Sequence, residues 1–200
     1  MIIKTAEFVT SVASADKLGQ WTLPQFAFVG RSNVGKSTLL NALVNRNKLA
    51  KTSNTPGRTR LINIFEINKQ FYFVDLPGYG YAKASKEEQA TWQKLIGAYL
   101  ENSENLKMAF VLVDSRREPT ERDLLMVKYL YTYQIPFQVV ITKTDKLSRV
   151  EMLKNKSMIA STLKIGLDDV ITVSAEKKEN LQKLWEIIEK KLDEANKNSD

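Results

Sequence analysis

The sequence predicts an α/β protein of three layers, with a mostly parallel central sheet, one antiparallel edge strand and helices on both faces. Three observations predict it. Short apolar runs of strand length alternate with segments of helical period, the pattern of a parallel sheet covered on both sides. One such run, Phe26-Ala27-Phe28-Val29, leads straight into the glycine loop Gly30-Arg31-Ser32-Asn33-Val34-Gly35-Lys36-Ser37, and a helical segment follows it. Leu61-Ile62-Asn63-Ile64-Phe65-Glu66-Ile67 and Gln70-Phe71-Tyr72-Phe73-Val74-Asp75 flank the turn Asn68-Lys69, which reads as a hairpin at a sheet edge.

The elements follow in order. Residues 2–12 alternate weakly through Ile3, Phe8 and Val12, as an added edge strand or an arm laid on the body. Residues 18–24 connect to the first core strand. Residues 38–44 put Leu39, Leu40, Leu43 and Val44 on one side of a helix. Residues 46–60, rich in Asn, Lys, Thr and Ser and containing Thr55-Pro56-Gly57, form a loop of a length usually kept for function. After the hairpin, residues 76–84 form a second loop. A helix over 87–100 carries Trp92, Leu95, Ile96 and Tyr99 at helical spacing. The run 108–113, ending at Asp114, reads as a buried parallel strand. Thr120 and Asp123 suit the start of a helix over 120–131. A strand over 137–141, a helix over 149–163 and a strand over 170–173 come next. The last helix, 177–195, has Leu181, Leu184, Trp185, Ile188 and Leu192 on one stripe, as core packing. Residues 196–200 are expected to fray. The whole chain, 1–200, reads as one domain, with 1–20 as its arm or added strand.

The sequence has no cysteine and no histidine, so thiol nucleophiles, cysteine-based zinc sites and the usual general base are excluded. Any bound metal should be a hard cation such as Mg²⁺ on oxygen ligands. No apolar run is long enough to span a membrane, and the first 18 residues lack the apolar centre of a signal peptide, so a cytoplasmic protein is expected. The net charge of +7 is unevenly placed. Residues 1–60 hold nine bases and two acids, while the rest of the chain balances 21 against 21. Between Arg31 and Arg60 there are seven bases and no acid. That stretch is either a surface for a polyanion such as RNA or a solvated basic loop.

In a parallel sheet of this kind, ligands bind at the carboxyl ends of the strands. The first such end carries G-x-x-x-x-G-K-[ST], whose backbone N–H groups and following helix cradle phosphates. Gly30 and Gly35 permit the turn, Lys36 would bridge the outer phosphates and Ser37 would bind Mg²⁺. Asp75, in Asp75-Leu76-Pro77-Gly78, can hold magnesium through water, and Gly78 can offer its N–H to the terminal phosphate. Thr142-Lys143-Thr144-Asp145 ends a later strand. A carboxylate at Asp145 can accept from N1–H and the 2-amino group of guanine and would be left unpaired against adenine. Lys143 can lay its stem along the base. Ser174-Ala175-Glu176, after Val173, could bring a backbone N–H to the guanine 6-oxygen.

These ordered motifs, with Thr55-Pro56-Gly57-Arg58-Thr59-Arg60 between the first two, resemble those of a translation-factor-type GTPase. In detail, the phosphate loop, Thr-Pro-Gly-Arg-Thr-Arg and Asp75-Leu76-Pro77-Gly78-Tyr79-Gly80-Tyr81-Ala82 resemble the EngB family (also called YsxC or YihA) in the TrmE-Era-EngA-EngB-Septin-like class. The resemblance covers nearly the whole chain. It implies the P-loop NTPase fold, binding and slow hydrolysis of GTP, a role in assembling the large ribosomal subunit, and a need for the protein in cell division and septation. It makes Thr59 the switch threonine that reaches Mg²⁺, so the implied metal ligands are Ser37, Thr59 and, through water, Asp75. The implied catalytic residues are Lys36, Thr59 and Gly78. The implied nucleotide contacts are residues 30–38 with Thr38, then Gly57, Arg58, Thr59, Arg60 and Leu61, then Asp75, Leu76, Pro77 and Gly78, then Thr142, Lys143, Thr144 and Asp145, and last Val173, Ser174 and Ala175. GTP or GDP, and large-subunit precursors with their rRNA on segment 31–60, are the implied partners of a monomer.

Two departures from the commoner GTPase pattern carry consequences. Thr142 stands where many GTPases have Asn, and a hydroxyl offers fewer hydrogen bonds than an amide, so looser base binding is expected. Tyr79 follows Gly78 where many relatives carry a water-orienting glutamine, so hydrolysis should be slow. Asn33 is either a ligand for K⁺ near the phosphates or simply a turn residue. Two other classes remain: an ATP-using enzyme, against which Asp145 speaks, and a scaffold in which nucleotide is structural.

Overall fold

The computed structural model describes residues 1–14, 17, 21–50, 61–80 and 85–197, without the side chains of residues 86, 88 and 89. Its strands are β1 (Ala6–Val12), β2 (Gln25–Gly30), β3 (Ile62–Ile67), β4 (Phe71–Asp75), β5 (Leu106–Asp114), β6 (Phe137–Thr142) and β7 (Val170–Thr172). Its α-helices are α1 (Lys36–Leu43), α2 (Lys86–Asn102), α3 (Glu121–Thr132), α4 (Arg149–Leu163) and α5 (Leu181–Lys197), and Thr144–Lys146 forms a short 3₁₀ turn. The strands form one sheet in the order β1-β3-β4-β2-β5-β6-β7. β3 runs antiparallel to both of its neighbours, and β2, β4, β5, β6 and β7 pair in parallel.

β2 shows why the sheet lies in the middle. Successive residues of a strand point to opposite faces, and all six residues of β2 are buried. Phe26 and Phe28 pack with Leu39 and Leu40 of α1 and with Leu184, Trp185 and Ile188 of α5. Ala27 and Val29 join Leu95, Ile96 and Tyr99 of α2, Leu130 of α3 and Ile159 and Leu163 of α4. The first face is aromatic: Phe28 meets Phe73 edge-on at 5.0 Å between centroids, and Phe73 meets Trp185 at 5.9 Å.

Turn chemistry sets the hairpin and the edge. Asn68 and Lys69 both have positive φ, as a two-residue turn between twisted strands requires. The Asn68 side chain accepts from the backbone N–H groups of Lys4 and Thr5 and donates to the Ile2 carbonyl, which lays the start of the chain beside the turn. β1 then pairs with β3 outside the hairpin, with its register shifting between Phe8 and Thr10.

The helix starts follow local rules. Thr120 and Asp123 cap α3 reciprocally, as Ser148 and Glu151 cap α4. The last helix differs from expectation. It starts at Leu181, not at 177, because Ser174 and Glu179 pair backbone to backbone and Lys178 and Asn180 take positive φ, which no helix continues. It also continues through Lys197. Its five predicted stripe residues are all buried. Among the described residues, no helix is long and apolar enough to cross a membrane.

Candidate nucleotide site

The phosphate loop leaves β2 at Gly30 and enters α1 at Lys36. Gly30 is packed so closely that a side chain there would meet the Leu112 carbonyl oxygen at 2.8 Å. Gly35 caps α1 with φ 103°, a conformation that favours glycine. Asn33 is exposed with φ 62°, in the left-handed region where asparagine is enriched. That conformation accounts for Asn33 as a turn residue, and its exposure leaves the side chain open to a ligand. Val34 is buried under the loop, Arg31, Ser32 and Ser37 are half-buried, and Thr38 is exposed.

Sheet order brings the second motif to this loop, since β4 lies beside β2 and Phe28 pairs with Asp75. Asp75 is 3 % exposed and its carboxylate forms an ion pair with the Lys36 ammonium. Asn63 donates to its other oxygen at 3.4 Å. Lys36 and Asp75 are thus held together although 39 residues separate them.

The chain past β4 extends the parallel pairing. Leu76 N–H donates to the Phe28 carbonyl, Tyr79 N–H to the Gly30 carbonyl and Ser32 N–H to the Tyr79 carbonyl. Gly78 lies so near the phosphate loop that a Cβ would sit 3.0 Å from the Ser32 nitrogen. Leu76 and Pro77 are buried, and the Pro77 carbonyl accepts from the Trp92 indole at 2.8 Å. The Tyr79 side chain turns inward and is 5 % exposed. Its hydroxyl donates to Asp123 at 2.7 Å. Burial and the Asp123 carboxylate keep that phenol protonated well above its ordinary range.

At the end of β6 the Thr142 hydroxyl, itself buried, donates to the Val34 carbonyl at 2.6 Å and lies 3.2 Å from the Val113 carbonyl. It therefore bonds the third motif to the phosphate loop. Lys143 has φ 59° and sends its ammonium back over the loop, donating to the Asn33 carbonyl at 2.6 Å and to Asp114 at 3.0 Å. Asp145 accepts from the Ser174 hydroxyl at 2.7 Å and pairs with Lys146 at 3.0 Å. Burial pushes the Asp145 carboxyl up, but these two partners outweigh it and hold it below the ordinary carboxylate value.

Val173 and Ser174 serve as frame. Val173 is buried and its N–H and carbonyl bond Ile141 and Thr144. Ser174 N–H is committed to the Glu179 carbonyl at 3.2 Å, and Ala175 beside it is half-buried. Thr144 opens the 3₁₀ turn that presents Asp145. Leu61 is exposed just before β3. Gly57, Arg58, Thr59 and Arg60 lie outside the described residues.

Three residues had no role at this site assigned from the sequence. Asp114 binds Arg116 through both of its oxygens and Lys143 through one. Burial raises its carboxyl, and these cations overcome that and hold it well below the usual carboxylate range. Ser115, fully buried, donates from its hydroxyl to the Lys143 carbonyl, and Asp123 holds Tyr79. The available signal was that Asp114 and Ser115 close a strand at the binding edge of the sheet. A cleft of about 200 Å³ between phosphate loop, β5 and α3 is lined by Arg31, Asn33, Asp114, Arg116 and Lys143 among others.

This sheet order, with a phosphate loop after β2, an acid beside it on β4 and a Thr-Lys-x-Asp turn after β6, is the arrangement of a P-loop GTPase. The comparisons agree with it. The model of the family described as 50S ribosome-binding GTPase matches residues 25–143. The chain is 48% identical over 174 residues to a probable GTP-binding protein EngB of Desulfosudis oleivorans, covering 87% of this chain and 88% of that one. It is 46% identical over 194 residues to the same-named protein of Clostridium kluyveri, covering 96% and 98%. The crystal structure of a probable GTP-binding protein engB superposes with a TM-score of 0.71 at 27% identity, covering 85% of this chain and 99% of that one. Era, solved with MgGDPNP and a segment of 16S ribosomal RNA, superposes with a TM-score of 0.58 at 25% identity, over 83% of this chain and 55% of that one. The chain belongs to the EngB family of GTP-binding proteins, and it is a GTPase.

Proposed function

We propose that this GTPase is a nucleotide-dependent switch in assembly of the large ribosomal subunit, with slow intrinsic hydrolysis. In this reading Lys36 leaves Asp75 for the outer phosphates, and the loop from Gly30 to Ser37 wraps them with its N–H groups. The donors beside that site are the Ser37 hydroxyl and one buried carboxylate, Asp75, and no cluster of three acids occurs among the described residues. Such an all-oxygen, low-charge set fits Mg²⁺, which is usually held by few protein ligands plus phosphates. Ser37, Thr59 and, through water, Asp75 would hold it, where it would neutralise charge on the phosphates. Gly78 N–H faces the terminal phosphate. Asp145, kept ionised and oriented by Ser174 and Lys146, receives the guanine N1–H and 2-amino groups. Lys143 lies along the base, and Ala175 N–H reaches the 6-oxygen. Segments 46–60 and 76–84 read out the terminal phosphate, and Thr38 and residues 57–61 belong to that nucleotide contact.

Tyr79 supports slow turnover, because its side chain is buried and its one donor is spent on Asp123. Asn33 is the candidate K⁺ ligand that would supply the missing charge. Equal GTP turnover in potassium and sodium chloride at matched ionic strength would remove that role.

The observation that carries the ribosomal reading is where the charge lies. The acid-free run of seven bases begins inside the phosphate loop, at Arg31. Lys178 reaches Asn45 from another part of the chain, so one further base stands at the start of segment 46–60. Counterion release by such a surface favours RNA phosphates. The matched family description and the Era–RNA structure are consistent with an RNA-bearing partner. In the same reading the protein acts in the cytoplasm and is needed for normal cell division and septation. Co-sedimentation of the monomer with large-subunit precursors should show tightest binding with a non-hydrolysable GTP analogue. Equal affinity with analogue, with GDP and without nucleotide would refute the switch.

A further inference from the structure

We propose that Tyr79 and Asp123 form a pin that positions Gly78 against the phosphate loop, making Tyr79 a positioning residue for the terminal-phosphate contact. The inference rests on the reading that Gly78 faces that phosphate. Its geometry comes from four separate elements. Past β4, the backbone of Tyr79 bonds the phosphate loop in both directions, to Gly30 and from Ser32. The ring is held from α2 by an edge contact with Trp92 at 5.9 Å, while the Trp92 indole donates to Pro77. The hydroxyl is held from α3 by Asp123, which is 1 % exposed. Asp123 is itself immobilised, since its second oxygen accepts from both the N–H and the hydroxyl of Thr120 at 2.7 Å.

Gly78 sits between two of these fixed points, one residue from each, and so near Ser32 that a Cβ would stand 3.0 Å from its nitrogen. A loop held only by its backbone bonds could slide or lift. A buried hydrogen bond to a charged acceptor resists that movement more strongly than a neutral one. The side chain at the place of the usual water-orienting glutamine therefore has a different use. It spends its one donor on Asp123 to set where the neighbouring N–H points. Burial and the Asp123 carboxylate hold the phenol well above its ordinary range, so the hydroxyl keeps the proton it donates.

The test compares GDP with guanosine 5′-(β,γ-imido)triphosphate on the full chain by calorimetry, with thermal melts to confirm folding. Tyr79→Phe removes only the hydroxyl. It should raise the ratio of analogue Kd to GDP Kd by about tenfold, at the low end of a hydrogen bond to a charged group. Asp123→Asn keeps an acceptor but loses its charge, and should shift the ratio in the same sense by about threefold. Thr120→Val removes one of the two bonds that hold Asp123 in place, so it should shift the ratio in the same sense as Tyr79→Phe but by less. Equal loss of both nucleotides in Tyr79→Phe, or no change in their ratio, overturns the pin. Gly78→Ala separates the two claims. If Gly78→Ala shifts the ratio and Tyr79→Phe does not, the pin is wrong and the Gly78 contact stands. If neither shifts it, the Gly78 contact falls and takes the pin with it.

Discussion

Replacing Thr142 by valine removes one hydroxyl and almost no volume. That hydroxyl is buried at the end of β6 and donates to the Val34 carbonyl at 2.6 Å, across 108 residues of sequence. Valine keeps the shape and leaves the Val34 carbonyl without this donor. A buried polar group that loses its partner costs about 1–3 kcal/mol, and a short, enclosed bond of this kind sits near the middle, at about 2 kcal/mol. For a domain of this size each kcal/mol is worth roughly 2–4 °C, so the melting temperature should fall by about 4–8 °C. The bond also ties the Thr142–Asp145 turn, proposed above to hold guanine, to the phosphate loop. If the whole loss appeared in binding, affinity would drop by no more than about 30-fold, since about 1.4 kcal/mol is tenfold. The bond lies away from the terminal phosphate, so GDP and a GTP analogue should weaken together. Scanning calorimetry measures the first effect, and titration with the two nucleotides measures the second. An unchanged melting temperature with unchanged GDP affinity would refute the claim that Thr142 joins the two motifs. A loss confined to the analogue would refute the assignment of the bond to the base side.

Three further outcomes follow from the same geometry. Asp145→Asn should exchange preference from guanine to xanthine nucleotides, read by competition binding, because the amide donates where the carboxylate accepts; unchanged GTP preference would remove Asp145 from the base site. The Asp114 carboxyl is held below its unfolded value of about 3.9, so its contribution to stability is full above that pH and is lost as pH falls towards the lower folded value. Asp114→Asn should accordingly be less stable at neutral pH and show a shallower loss of stability below about pH 4, measured by denaturant unfolding across pH. Asn41 exchanges two hydrogen bonds with the Ala50 backbone, at 2.8 and 2.9 Å, and is 7 % exposed. Asn41→Ala should cost about 1–3 kcal/mol by the same unfolding measurement, as two buried backbone groups lose their partner.

The sequence by itself determined the alternation of strands and helices, the glycine loop, the acid of β4 and the Thr-Lys-x-Asp turn after β6. These are local patterns. Gly30 to Ser37 are contiguous, Phe26 to Val29 announce a buried strand by composition, and the helix over 120–131 is announced by a cap, Thr120 with Asp123, that needs only four residues. The resemblance to a GTPase family rested on the same short stretches. The tertiary structure decided how those stretches use each other. The turn Asn68-Lys69 implied a hairpin, yet only packing laid β1 along β3 and made the hairpin's outer strand internal to the sheet. The stripe of α5 was legible from Leu181 onward, but its start was not, because a backbone pairing of Ser174 with Glu179 competes with the helix. Tyr79 showed in the sequence what it cannot do. Its burial against Asp123 shows where it goes instead, and no period in the chain encodes a contact across 44 residues. The same holds for Asp114 under Lys143 and for Thr142 under Val34. Pattern assigns a residue to a face, whereas a hydrogen-bond partner is assigned only when two distant segments are packed together and each buried polar group must find a donor or acceptor within reach.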